Sequence, residues 1–369
     1  MSTQYTCRST NPWADSSIIY AGLLVNTVFE SSILHEKLKE LITLWPILGG
    51  TVIRSAGGCF EFVQAFCELL SNRKIPSFVH PPDTRGIKIS DSITDSDKDE
   101  IHCDASADFE SPEGNWDIGV IKAAQMTWRV ARAHLSMTLG LREKLKEKYV
   151  HLPCGWVDQI STQAQKELNV LPESLDIQLT RNDIISAWYL KTIYGPSYSS
   201  CSDNTLVDFC VAINYKGLIN PLLAEDASEK TLPQKEQQKS HYLHHRVAIF
   251  RCKFTTSQLQ NDSIASIAWN IRRATLHYKQ PSSIQKYIQF VEKRNSNFLI
   301  VNICASDPFS MVKLSSWTTY DYMALDFSGA IGDRKVQQDK ASVAFVNPLA
   351  VSPITGLTLY TLKDGMGDI

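Results

Sequence analysis

Nine histidines are the side chains of this chain that titrate nearest neutrality, and a histidine that takes a proton from a hydroxyl is the commonest way to make an alcohol nucleophilic. His241, His244 and His245 stand at i, i+3 and i+4, a spacing that could bring imidazoles to one metal ion on a helix. No cysteine or carboxylate accompanies them closely, so the end of a solvated linker is the simpler reading and no metal site is expected. His102-Cys103-Asp104 alternates as strand ligands would, but it sits in an acidic loop with no framework around it. His134, in RVARAHLSMTLG, lies on a predicted helix among apolar neighbours, the setting of a partly buried, satisfied imidazole. No Gly-x-Ser-x-Gly elbow and no phosphate-cradling Gly-rich loop occurs.

The 369 residues carry 37 basic and 39 acidic side chains, a formal charge of −2. That balance gives no electrostatic footprint for nucleic acid or an anionic membrane. Cys7, Cys59, Cys67, Cys103, Cys154, Cys201, Cys210, Cys252 and Cys304 are scattered without a Cys-x-x-Cys pair, as reduced core thiols of an intracellular protein would be. MSTQYTCRST lacks the apolar stretch of a secretory signal, and SIIYAGLLVNTVF, broken by Asn26, is too short to span a bilayer. A soluble, cytoplasmic protein is expected.

Residues 17–29 read as a buried strand feeding a helix on which Leu34, Leu38, Leu41, Ile42 and Trp45 recur, behind the capping serines Ser31 and Ser32 and ended by Pro46. Phe60, Val63, Cys67 and Leu70 mark a second amphipathic helix opened by Gly57 and Gly58. Thr51 to Ala56, between the two, leaves room for one very short strand and a turn. Residues 80–116 are acidic and rich in Pro and Ser, a long exposed connection. A helical stretch follows over 118–148. A strand end at His151-Leu152-Pro153 leads into a helix carrying Val157, Ile160 and Ala164. Thr180 is a good N-cap with Asp183 three residues on, opening a helix with Ile184, Ala187, Trp188 and Lys191 on one face. LVDFCVAIN, RVAIFRCKF (246–254) and FLIVNICAS (298–306) read as strands, with a charged connection over 225–240 and helical material over 257–293. WTTYDYMALDFSGA, SVAFVNP and LTLYTL supply the last strands. Mixed helices and strands without strict alternation imply an α/β protein with mixed sheets in two halves.

Taken in order, LKELITLWPILGG, VHLPCGWVDQISTQAQKEL, LTRNDIISAWYLK, INYKGLINPLL and SWTTYDYMALDFSGA resemble the fungal branch of the BAHD and trichothecene O-acetyltransferase-like superfamily across essentially the whole chain. The resemblance implies a two-lobed fold like chloramphenicol acetyltransferase, with mixed sheets flanked by helices and a channel between the lobes. The lobes are expected at 1–195 and 246–369, joined by a strand and crossover over 196–245. The implied reaction moves an acyl group from coenzyme A, as acetyl-CoA, to a hydroxylated small molecule of secondary metabolism. Acyl-CoA is then a co-substrate rather than a bound cofactor, and the protein a monomer.

The family's base is the histidine of a His-x-x-x-Asp motif, whose aspartate holds the loop. Four residues after the nine histidines, in order, stand Lys39, Thr84, Ser106, Thr138, Gly155, His245, Ala248, Ile249 and Pro281. None is an aspartate. Setting Ala56-Gly57-Gly58 on the family's small-residue turn places Ser55 at the aspartate and Thr51 at the histidine. LWPILGGTV resembles a much earlier part of the family, so the chain jumps from one to the other and the first lobe is expected to be shortened near 51–55; an ordinary tight strand–turn–helix is the alternative. GLTLYTLKDGMGDI also stops where the family usually continues. In DFSGA, Asp326 and Phe327 match the family's Asp-Phe-Gly-Trp-Gly, while Ser328, Gly329 and Ala330 depart from it; Asp326, Phe327 and Gly329 are expected to be structural. Two readings follow: an O-acyltransferase without its base, or a non-catalytic small-molecule-binding descendant.

Overall fold

The computed structural model describes residues 18–45, 56–75, 149–170, 177–195, 205–214, 247–280, 311–331, 341–351 and 357–362. It also describes single positions of helical segments between 124 and 139 and between 282 and 287. Strand β1 (Ile18–Val25) leads into α1 (Ser31–Leu44), and α2 (Ala56–Leu70) follows. The cap of α1 is Glu30 rather than a serine. Glu30 accepts a 2.6 Å bond from the Ser32 hydroxyl, and its own N–H donates to Ala330 O at 2.8 Å, so Ser31 and Ser32 become the first helical residues. Helix α2 already includes Ala56, which puts Gly57 and Gly58 inside its first turn; the rest of the expected short strand, Thr51 to Ser55, lies outside the described residues.

The spacing read in α1 and α2 builds two interfaces. Leu41 and Trp45 pack with Ala65, Leu69 and Ile75 between the two helices. The opposite face of α2, with Val63, Cys67 and Leu70, packs on Trp317, Tyr322, Phe327, Val343 and Val346. Strand β5 (Val343–Val351) pairs antiparallel with β1, from Ile18↔Val351 to Val25↔Val343. The expected buried strand is thus half-buried: Leu23 and Val25 join the core while Leu24 is 63% exposed.

The second core is larger. Helices α3 (Cys154–Leu168), α4 (Arg181–Tyr194) and α6 (Ile264–Tyr278) cover a four-stranded sheet of order β3-β2-β4-β6. Strand β2 (Leu206–Asn214) runs antiparallel to β3 (Val247–Thr255) and parallel to β4 (Met311–Ser316), which runs parallel to β6 (Leu357–Thr361). A six-residue helix, α5 (Thr256–Asn261), links β3 to α6. Val207, Phe209 and Ile213 alternate toward the helices and meet Phe250, Phe254, Ile184 and Leu190. This is the expected mixed α/β architecture, and residues on both sides of 195 and of 246 contribute to this one core.

Three differences from the sequence reading have local causes. Strand β4, MVKLSS, was not anticipated; it is six residues long, and Val312 and Leu314 are buried in it. WTTYDYMALDFSGA, expected as strand, forms turns at Tyr322–Ala324 and Ser328–Ala330. There Asp321 and Asp326 side chains accept the backbone N–H groups of Ala324 and Ser328, which draws the chain out of any ladder. One isolated bridge remains, Asp326↔Ser342. Most of the expected helix over 118–148, and all of FLIVNICAS, fall outside the described residues.

Thr180 caps α4 as its sequence implies. Its hydroxyl accepts from Asp183 N at 3.3 Å and its N–H donates to Asp183 Oδ2 at 2.8 Å, a reciprocal box. Thr180→Ala is expected to cost about 1 kcal/mol in urea unfolding. Burial pushes the Cys252 thiol up from 9.0 to about 12, with Arg273 opposing and Asp208 reinforcing the shift. The unfolded chain therefore sheds this proton first, and its contribution to stability is lost as pH rises above 9.0. Cys252→Ala is expected to flatten the alkaline fall in stability, measured by urea unfolding from about pH 8 to pH 11.

Candidate active site

The end of β2, the first turns of α2 and the chain after β4 converge at one place. Trp317 leaves β4 with its N–H bonded to Thr361 O at 2.8 Å and its indole Nε1–H donating to Ser315 Oγ at 3.0 Å. The Asn182 side chain, in the first turn of α4, exchanges hydrogen bonds of 2.9 and 3.1 Å with the Ser316 hydroxyl, fixing that helix against the strand end. The chain then follows α2. The ring of Tyr320 lies 5.5 Å from that of Phe60, and Tyr322 meets Phe60 edge-on at 5.1 Å and stacks on Trp317 at 5.8 Å. Two side-chain hydrogen bonds complete the cluster: Tyr322 with Cys59, and Tyr320 with Asn214. The second of these ties the end of the sheet to the core around α2.

Burial raises the Cys59 thiol, and the Tyr322 hydroxyl only partly offsets it. Burial also holds Tyr322 far above the usual phenol range, with Cys59 and Tyr320 adding to the effect. Tyr320 is raised by burial against its bond to Asn214, with Glu61 contributing. The thiol and both phenols therefore stay protonated at neutral pH. They can donate and accept hydrogen bonds and offer aromatic faces; they are not bases.

Further along α2, Asp326 Oδ1 accepts from Ser328 N at 2.9 Å, and Phe327 N donates to Ala341 O at 2.8 Å. The Ser328 hydroxyl accepts from Ala341 N at 3.0 Å, and the Phe327 ring lies 5.4 Å from Phe29. Gly329 sits against the C-terminal end of α2: a Cβ there would lie 1.9 Å from the Leu70 carbonyl oxygen. Asp326, Phe327 and Gly329 thus form one turn that joins α2, the start of α1 and β5.

Of the other residues singled out by sequence, Thr51, Ser55, His102, Cys103, Asp104, His134, His241, His244 and His245 lie outside the described residues. His35 is exposed on α1, His151 is exposed ahead of α3, and His277 ends α6, where burial and Lys286 lower its pKa. Cys59, Asn214, Tyr320 and Tyr322 were not anticipated. Cys59 fits the apolar spacing of α2, and its partner comes from the far end of the chain. Among the described residues no three His, Cys, Asp or Glu side chains gather as a metal site, and no helix is long and apolar enough to cross a membrane.

No family model matches the chain. The acetyltransferase peniE of Penicillium patulum is 57% identical over 454 aligned residues, covering 100% of this chain and 94% of that protein. Because 454 aligned positions face 369 residues, at least 85 positions of the relative have no counterpart here. Among solved structures, TRI101 of F. sporotrichioides, complexed with coenzyme A and T-2, matches with a TM-score of 0.51 at 12% identity, over 85% of this chain and 59% of that one. Apo TRI101 of F. graminearum matches over 85% and 57%, at 11% identity and a TM-score of 0.46. This chain therefore spans under two thirds of the length of those two structures. The first of them shows the same fold, and the identity to the Penicillium protein along the whole chain shows the family: the chain belongs with the acetyltransferase peniE in one family of acetyltransferases.

Proposed function

We propose that this protein is a coenzyme-A-dependent O-acyltransferase by descent, built to move an acetyl or similar acyl group onto a hydroxylated small molecule of secondary metabolism. The observation that carries the reading is the 57% identity to an acetyltransferase over the whole chain. In such a transfer the acceptor oxygen bonds to the thioester carbonyl carbon, the C–S bond breaks, and the acceptor's proton passes through a base to the leaving coenzyme A thiolate. Thr51 and Ser55 stand where the family has the histidine and aspartate of that step, and neither takes a proton at neutral pH. The 85 or more positions of the relative that lack a counterpart fit a chain shorter than that protein, and by this proposal part of that shortening falls at this junction. The missing base favours the second reading as well, a descendant that binds the same small molecules without transferring the acyl group. Calorimetric titration with acetyl-CoA tests what the two share. Saturable binding at one site per chain is expected, and no heat of binding would overturn both.

A further inference from the structure

The described positions between 124 and 139 carry helical bonds: the Ser136 hydroxyl donates to Arg132 O at 2.7 Å and Leu139 N to Leu135 O at 2.9 Å, each four residues back. At the helical repeat, Ala124, Trp128, Ala131, Arg132, Leu135 and Leu139 fall within an arc of about 100°. All six are exposed, Trp128 by 69%, Leu135 by 59% and Leu139 by 62%. An apolar stripe of that width ordinarily faces a core. This one turns outward, and among the described residues none of its three large side chains joins a hydrophobic cluster.

Charge and shape decide what fits this face. Residues 118–142 hold Lys122, Arg129, Arg132 and Arg142 and no Asp or Glu, whereas the whole chain carries −2. The balance over the full length averages away this local excess, and Arg132 stands in the exposed arc itself, between Trp128 and Leu135. A second copy of the chain would set like charges against each other. A helical peptide partner lays its apolar side chains into a groove, but here the Trp and Leu side chains protrude. A lipid surface has the complementary form: Trp and Leu enter the boundary between headgroups and acyl chains while arginines meet anionic headgroups. We infer that the face of Trp128, Leu135 and Leu139, with Arg132, docks on an anionic lipid surface, lying on it without spanning it. The inference does not depend on acyl transfer or on coenzyme A binding.

The experiment is flotation of the full chain with vesicles of phosphatidylcholine alone or with about 30% phosphatidylserine, the anionic fraction that draws basic residues to a membrane. Partitioning into the phosphatidylserine vesicles is expected to exceed that into phosphatidylcholine by about tenfold, and to fall as salt is raised from about 0.1 M to about 0.5 M. Trp128→Ser and Leu135→Ser are each expected to weaken it by about fivefold, through lost insertion, and Arg132→Glu by a similar factor through lost attraction. All three side chains are exposed, so urea midpoints should stay those of the unaltered chain. Val170→Ser, at a position 81% exposed just beyond α3, is the control and should leave partitioning unchanged. Absent binding, equal binding to both vesicles, or equal loss in the Val170 variant would each overturn the inference. So would a dimer in sedimentation velocity that Trp128→Ser dissolves, because the occupant would then be a second copy.

Discussion

Gly329→Ala is expected to destabilise the protein by about 3 kcal/mol, because the added methyl group has no space and a backbone must move to accept it. The Cβ would stand 1.9 Å from the Leu70 carbonyl oxygen and 2.4 Å from its carbon, both backbone atoms at the end of α2. A flexible side chain could step aside; a helix terminus cannot do so cheaply. Moving it would disturb Leu70, buried beside Phe327 and Val343, and the turn whose Ala330 carbonyl accepts Glu30 N. Gly155→Ala, in the first turn of α3, is the matched control, since a Cβ there meets nothing within 4 Å. That change is expected to be neutral or to stabilise by up to about 1 kcal/mol, through helix propensity. Urea midpoints of the two variants measured side by side decide the matter, and equal midpoints would mean that the turn does not abut α2 as described.

The second large effect concerns the base. Thr51→His combined with Ser55→Asp is expected to raise acetyl transfer by about 10²-fold or more over the unaltered chain, the scale of contribution that a positioned general base makes. Ser55→Asp alone should give nothing, since an aspartate that holds a loop does not deprotonate the acceptor. The gain should also follow pH, appearing as the new imidazole loses its proton near neutrality. A double variant that binds acetyl-CoA yet turns over no faster would show that residues 51–55 do not stand where the family's catalytic segment does.

What the sequence disclosed and what it hid follow from the range of the interactions involved. The box of Thr180 and Asp183 was legible because both partners lie within one turn. The faces of α1 and α2 were legible because apolar residues repeat at helical spacing and were then buried as expected, Leu41, Val63, Cys67 and Leu70 among them. Where two local preferences competed, the reading failed. The aromatic and β-branched residues of WTTYDYMALDFSGA favour strand, but Asp321 and Asp326 bond to nearby backbone and win. Ser31 and Ser32 are good capping residues displaced by Glu30, whose backbone is held by Ala330 from the far end of the chain. The same distance hid the site. Nothing near Cys59 in sequence announces Tyr322, and nothing near Asn214 announces Tyr320; both pairs exist only once the chain after β4 has laid itself along α2.

By the proposed function, this acyltransferase fold binds its thioester without a histidine base to use it. Its most direct test is release of coenzyme A thiol from acetyl-CoA, followed beside the Penicillium patulum acetyltransferase with that enzyme's own acceptor, each protein first shown by calorimetry to bind acetyl-CoA. This chain is expected to bind acetyl-CoA and to release thiol slower by about 10²- to 10⁴-fold, the contribution of a lost general base. Release at the rate of the Penicillium enzyme would contradict it, and would place a working base among residues to which no such role is given above.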